Sequence, residues 1–442
     1  MSQSIQHIRN TILSRLREPF QIRIGVEVEN LIYRSDLTRL PVNPGGYLSA
    51  VELRNILETV CAEAEISPSL TMEPGGQIEF GGSPFYNLHE VNIEWQKYLA
   101  RLLDVCHDND LILLDFALDP LYEPDDITIV DETKYNLMHD RFGKTGTFGK
   151  WMMKMSTSVQ LNLDYSSKEE GTKLAFLSDA LQPFLSLIFA NVPFINGEPT
   201  GTRNVRLDIW EDTDPSRCGS LLAHGITSEV DLLSVFAKLT AEAPAIFGEN
   251  SSGNICQFDG TIGDWLESIS TSRELQKKDG LTALHQIFTH VRFKDVLEIR
   301  TPDRPPFGYE LAPAAFITGL LQEPCSLDEV GEMVATWTLE ERLKAVEKSK
   351  TLDLSQVAFS GKSFWYWIEL LFELSMKGLD KRAVQSNIPS ERIYLEPFVE
   401  QFLARGPFSV QIQEEFVTSG KTLKNFIHGR WQEQKEELTM NN

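Results

Sequence analysis

Ser158-Val159-Gln160-Leu161-Asn162-Leu163-Asp164 alternates polar and apolar residues without a break, and Ile22-Arg23-Ile24-Gly25-Val26-Glu27-Val28-Glu29 does the same near the start of the chain. Side chains of an extended strand point alternately to opposite faces, so each stretch places its polar members on one side of a sheet. Three further segments repeat the pattern: Gly76–Glu79 presents Gln77 and Glu79, Val205–Trp210 presents Arg206, Asp208 and Trp210, and Val296–Arg300 presents Glu298 and Arg300. Five strands are predicted, with one polar face each.

Helical spacing of apolar residues is clear at Ser4–Leu16 and from Leu88 to about His107, and predicts further helices at Thr172–Ala190, Val230–Ala241, Leu327–Lys348 and Phe364–Lys377. These are too long and too irregularly placed among the strands for a βαβ series. The fold class expected is therefore α+β, an antiparallel or mixed sheet with helices packed on its apolar face. No repeat, low-complexity run or long linker divides the 442 residues, so one catalytic domain is expected.

Any one of the strands, alone, reads as the solvated face of an antiparallel sheet. Together they collect Glu27, Glu29, Glu79 and Glu298 with Gln160, Asn162, Arg206 and Arg300. Carboxylates at i and i+2 on one face repel unless a cation sits between them. Oxygen ligands without thiols or a histidine pair suit Mg2+, with Mn2+ as the alternative, and not zinc. Magnesium takes few carboxylates and leaves its other positions to water and substrate phosphates. The arginines on the same face then serve a substrate carboxylate or a transferring phosphoryl group. The implied substrates are small and anionic: a nucleoside triphosphate and an amino acid.

The net charge of -23 argues against a nucleic-acid partner, which would need clustered Lys and Arg. No stretch has signal-peptide or membrane-helix character, so no membrane association and a cytoplasmic location are expected. The five cysteines, Cys61, Cys106, Cys218, Cys256 and Cys325, show no ligand spacing and are expected to be reduced. Gly143-Lys144-Thr145 imitates the end of a phosphate-binding loop, but the required first glycine falls on Met138 and the motif fails. No HExxH or HxH occurs, and His285 and His290 are five apart, off a common helix face.

Met72-Glu73-Pro74-Gly75-Gly76-Gln77-Ile78-Glu79-Phe80 resembles the E-P-G-G-Q-x-E segment of the glutamate–cysteine ligase family, in the branch of the plant enzymes, many bacterial relatives and the actinobacterial ergothioneine-pathway enzyme. Gly25-Val26-Glu27-Val28-Glu29, Tyr135-Asn136-Leu137-Met138, Ser158–Asp164, Arg206 with Ile209-Trp210, Asp212-Thr213-Asp214, Leu297-Glu298-Ile299-Arg300, and Gly378-Leu379 with Arg382 follow in family order.

The resemblance implies a glutamine-synthetase-like fold, a curved sheet forming a funnel with helices on its outer face. It implies a helix at 1–19, an ATP-dependent carboxylate–amine ligase domain at 20–395, and a helical extension and tail at 396–442. It implies Glu27, Glu29, Glu73, Glu79 and Glu298 as magnesium ligands, and Arg300 with Glu298 as catalytic residues, Arg300 steadying the γ-phosphate. Arg206 would grip a substrate α-carboxylate, with Gln160, Asn162, Lys154, Tyr135 and Trp210 completing substrate binding. The substrates implied are L-glutamate, ATP and L-cysteine or another amine, in a monomer or homodimer. The branch carries an arginine shortly before its V-Q-x-N-x-D strand, where this chain has Met155 preceded by Lys154. Either Lys154 replaces that arginine or the acceptor differs. A same-fold ligase for another amine, a non-catalytic nucleotide-binding relative and a metal-dependent hydrolase are the rival readings.

Overall fold

The alternating segments pair into one sheet. In the computed structural model, which describes residues 2–250 and 252–440, its strands are β1 (Ile24–Arg34), β2 (Ser69–Met72), β3 (Ile78–Gly81), β4 (Leu111–Leu114), β5 (Val159–Leu163), β6 (Val291–Phe293) and β7 (Leu297–Ile299). Their order is β6-β7-β5-β1-β3-β2, with β4 paired to the C-terminal part of β1. Every pairing is antiparallel. Register aligns Thr71, Glu79 and Glu29 in one row, Glu27 with Gln160 in the next, and Arg292, Glu298 and Asn162 in another. Residues brought into line this way have Cβ atoms only ~5 Å apart across each strand pair, so distant segments of sequence are fused into one polar surface.

The opposite face is apolar and covered. Val26, Val28, Leu161, Leu163, Ile299 and Phe80 are buried, and the Phe80 ring meets Trp95 at 5.2 Å and Tyr98 at 4.8 Å on the helix Leu88–Asp108. The helix Ala312–Leu321 is buried along its whole length and packs against β5 and the long helix Phe364–Ser386. The two helices touch at Gly319 and Gly378. A Cβ on Gly378 would collide with the Gly319 carbonyl, and one on Gly319 with the Ser375 carbonyl, so both positions require the smallest residue.

Three expectations are corrected. Val205–Trp210 is not a strand but the start of a helix, Val205–Glu211. Arg206 and Trp210 are four apart and share a face in a helix just as in a strand, so alternation alone cannot separate the two. Asp208 does separate them, because it turns away to pair with Arg203 at 3.3 Å. The single helix expected at Thr172–Ala190 is two, Lys168–Ala180 and Gln182–Ile188. Pro183, lacking an N–H, opens the second of these. Leu327–Lys348 is likewise divided into Pro324–Ala335 and Leu339–Lys348, where Thr338 and Glu341 form a capping box.

The first helix, Gln3–Ile12, packs on Leu232–Glu242 and Lys277–Leu284. Of the expected extension at 396–442, residues 441 and 442 lie outside the described residues. The rest forms helices Glu396–Arg405, Phe408–Ser419 and Leu423–Met440. The last is fastened to the body where Arg430 and Gln434 donate to the buried Asp115 carboxylate at 2.9 and 2.6 Å.

Candidate active site

Glu73 is delivered by a turn rather than by a strand. Between β2 and β3 the Glu73 N–H donates to the Gln77 carbonyl at 2.9 Å, and Gly76 takes φ +86°, a conformation costly for any residue with a Cβ. Gly75 lies flat on the Lys154 backbone, which a Cβ would strike. Its carbonyl accepts from Arg39 at 2.7 Å. The glycines of Pro74-Gly75-Gly76 thus bring backbone against backbone, and the turn hangs Glu73 beside the polar face of the sheet.

Oxygens of Glu29, Glu73 and Glu79 lie within 4.8 Å of one another. Glu29 is anchored by the Ser158 N–H at 2.7 Å and the Gln160 amide at 2.8 Å, while Glu79 accepts from the Thr71 hydroxyl. Burial, reinforced by the Glu73 carboxylate, pushes Glu29 up to about 8. Burial raises Glu73 as well. Glu79 is held well above the usual carboxylate range by burial and then by Glu27, Glu73 and Glu29. Three carboxyl groups this close resist simultaneous ionisation, and an all-oxygen donor set of this kind fits a hard divalent cation. Glu27 lines the same cavity and accepts from the Asn162 amide at 2.8 Å.

The other half of the cavity is cationic. Glu298, 1% exposed, meets the Arg292 Nε at 2.6 Å, Lys294 Nζ at 2.7 Å and Arg300 Nη1 at 3.0 Å. Burial by itself would raise Glu298, but these three cations outweigh it and hold its carboxyl well below the ordinary range. Arg300 also donates to the Gln160 side-chain Oε1 at 2.7 Å. Arg206 donates to the Thr301 and Arg300 carbonyls at 2.8 and 3.1 Å and pairs with Asp303 at 3.5 Å. Both guanidinium groups lie over the Trp210 ring, 5.8 Å away for Arg206 and 5.4 Å for Arg300. The buried Nε of each lacks a hydrogen-bond partner.

Of the residues expected at the site, Glu27, Glu29, Glu73, Glu79, Glu298, Gln160, Arg206, Arg300, Tyr135 and Trp210 line this single cavity. Glu298 stands apart from the three-carboxylate group, among cations. Asn162 is one register pair away and touches the site through Glu27. Lys154 is not brought to the cavity: its buried ammonium donates to the Ile127 carbonyl at 2.7 Å. Met155, at the position of the arginine noted above, is fully buried.

Sequence reasoning overlooked Arg292, Lys294 and Lys134 and set His285 aside, yet all four line the cavity. A signal for the first two exists, since His290-Val291-Arg292-Phe293-Lys294 alternates as strictly as the segments that were read. Burial, with Arg292 and Lys294 adding to it, pushes His285 down to about 3. His290 lies buried beside Arg206 and Arg300 and is also pushed down to about 3, by burial first.

A family model described as glutamate-cysteine ligase family 2 matches residues 23–355, from the first alternating segment to well past β7. The chain belongs to the glutamate–cysteine ligase family. Its similarity to curated members of that family extends over most of its length. The chloroplastic glutamate–cysteine ligase of Medicago truncatula is 28% identical over 395 residues, covering 84% of this chain and 70% of the relative. The chloroplastic glutamate–cysteine ligase A of Oryza sativa subsp. indica is 30% identical over 331 residues, covering 71% and 64%. The chain thus spans about two thirds of the length of these plant relatives. Among solved structures, a glutamate–cysteine ligase from Francisella tularensis in complex with AMP shares the fold with TM-score 0.59 at 14% identity, covering 96% of this chain and 90% of that one. A bifunctional glutathione synthetase from Pasteurella multocida aligns with TM-score 0.50 over 99% of this chain and 54% of its own. In this glutamate–cysteine ligase family member, no helix among the described residues is long and apolar enough to cross a membrane.

Proposed function

We propose that this chain is an ATP- and divalent-cation-dependent ligase joining the γ-carboxyl of L-glutamate to the amino group of L-cysteine or another amine. The observation that carries the reading is the division of one cavity into a cluster of carboxylates and a facing cluster of guanidinium and ammonium groups. AMP bound to the Francisella protein supports a nucleotide as substrate.

A carboxylate is a poor electrophile, so amide formation in water needs activation. In the proposed sequence a glutamate γ-carboxylate oxygen bonds to the γ-phosphorus of ATP and ADP leaves. The acceptor nitrogen then bonds to the acyl carbon, loses a proton, and inorganic phosphate leaves. Glu29, Glu73 and Glu79, with Glu27, would hold Mg2+ or Mn2+, which when bound supplies positive charge to phosphate oxygens. Arg300, fixed by Gln160, Glu298 and the Trp210 ring, is placed to stabilise charge on the transferring phosphoryl group. Arg206, which lines the cavity, offers its guanidinium to the glutamate α-carboxylate.

ADP release should require glutamate, an amine and a divalent cation together, and mass spectrometry should find a γ-glutamyl amide. Tight binding of Mg-ATP with no turnover across a panel of amines would leave a non-catalytic nucleotide-binding protein and end the ligase reading.

The crowded carboxylates add a pH signature. The folded-state value of about 8 for Glu29 exceeds its ordinary 4.5, so the proton it binds stabilises the fold fully below pH 4.5, a contribution lost as pH rises through 8. A divalent cation takes the proton's place. Titration with Mg2+ at pH 7 should therefore release protons, seen as calorimetric heats that scale with buffer ionisation enthalpy. The gain in Tm on adding Mg2+ should be larger at pH 8.5 than at pH 6. Buffer-independent heats with equal gains at both pH values would contradict the assignment.

A further inference from the structure

Glu73 belongs to a group of carboxylates that repel one another, so its turn has to be held against that repulsion from outside. The bonds within the turn, from the Glu73 N–H to the Gln77 carbonyl and from the Gly76 N–H to the Glu73 carbonyl, both 2.9 Å, set its shape but not its position against β1. Other parts of the chain fix the position. The Val130 N–H donates to the Pro74 carbonyl at 2.9 Å, the Gln77 amide donates to the Ser156 carbonyl at 2.9 Å, and Arg39 Nη2 donates to the Gly75 carbonyl at 2.7 Å. Only the last of these three is charge-assisted, and bonds of that kind are roughly twice as strong as neutral ones.

Arg39 is itself braced at its other side. Its Nη1 donates to the Asp119 carboxylate at 2.5 Å, and both side chains are buried. Asp119 is gripped in turn by the Leu121 and Tyr122 N–H groups, each at 2.9 Å, and by the Tyr33 hydroxyl at 2.5 Å. Tyr33 lies on β1, the strand that carries Glu27 and Glu29. A buried chain of hydrogen bonds therefore runs from the Glu29 strand through Asp119 and Arg39 to the turn that carries Glu73. The carboxylates at its two ends come within 4.8 Å of each other. Arg39 does not line the cavity, so it acts on the site through the turn. Its planar fork meets Asp119 and the Gly75 carbonyl at a fixed separation, which the point charge of an ammonium does not reproduce.

We propose that Arg39, braced by Asp119, is a positioning residue that sets the divalent-cation affinity of the site by holding Glu73 against Glu29 and Glu79. This rests on the cation-dependent ligase reading above.

The probe is Mn2+, whose free-ion electron paramagnetic resonance signal reports binding to the full-length protein without turnover. Arg39→Lys keeps a positive charge beside Asp119 and gives up the fork, and Arg39→Met combined with Asp119→Asn removes both buried charges together. Each should raise the Kd for Mn2+ ~10–100-fold, the scale of losing a group that orients a metal ligand, while the KM for glutamate stays within about twofold. Arg430→Gln, which loosens the last helix from Asp115, should lower Tm and leave the Mn2+ affinity unchanged. An Mn2+ Kd within twofold of wild type in the Arg39 variants, or an equal loss of affinity in Arg430→Gln, would overturn the proposal while the cation reading stands. Failure of both Arg39 variants to fold would assign the brace to the fold alone and overturn it equally. A wild type that binds no Mn2+ at millimolar concentration would overturn the cation reading and this proposal with it.

Discussion

Replacing Arg300 by alanine is expected to lower kcat by ~10^3-fold or more, the scale of removing a preorganised cation from a phosphoryl-transfer site. The KM for ATP should change far less. The fold should survive, because Glu298 keeps Arg292 at 2.6 Å and Lys294 at 2.7 Å when Arg300 is gone. Arg300→Lys should recover little of the loss. A single ammonium cannot donate to Gln160 and Glu298 at the present positions, lie over the Trp210 ring, and still present a further N–H to substrate. Single-turnover measurements of glutamyl phosphate formation would check the prediction. A variant with kcat within tenfold of wild type would remove Arg300 from the phosphoryl-transfer step.

The sheet was legible wherever one face had to be buried and the other could not be. In β1, β3, β5 and β7 a shift of one residue would drive Glu27, Glu79, Gln160 or Glu298 into the core, so pattern and register are tightly bound together. β4 gave no such signal, because Leu111-Ile112-Leu113-Leu114 is buried on both faces and reads equally well as a fragment of buried helix. Arg206 and Trp210 were placed correctly for the wrong reason, since spacing by four satisfies a strand and a helix alike. The helix breaks at Pro183 and Thr338 carried local signals that a long apolar periodicity masked.

At the site, the carboxylates were legible, but of the five lysines and arginines lining the cavity only Arg206 and Arg300 were. Glutamates at i and i+2 are conspicuous because they conflict with one another. Arg292, on a strand as short as Val291–Phe293, and Lys294, just past its end, look like ordinary surface charges until the hairpin folds them onto Glu298. Lys154 illustrates the converse. The resemblance suggested it as a stand-in for the branch's arginine, but the Gly75 turn lies across its backbone and its ammonium is committed to Ile127.

The mutual repulsion of the carboxylates leads to a second large effect, one in which stability and activity move in opposite directions. Glu79→Gln removes one charge from the group Glu27, Glu29, Glu73 and Glu79 and keeps an oxygen to accept from Thr71. In the metal-free protein at pH 8 the substitution should stabilise the fold by roughly 1–3 kcal/mol, the range found when poorly compensated buried charge is removed. Turnover should nonetheless fall ~10^3-fold or more, since loss of a ligand from a cation that neutralises phosphate charge costs several kcal/mol of transition-state stabilisation. Urea denaturation with and without Mg2+ checks both halves. The variant should have the higher midpoint without metal and lose most of the increment that Mg2+ gives the wild type. Glu298→Gln should go the other way in the metal-free protein, because it leaves Arg292, Lys294 and Arg300 without the charge that offsets them. If Glu79→Gln were less stable than wild type without metal, the carboxylates would not be held in conflict, and the physical case for a cation among them would fail.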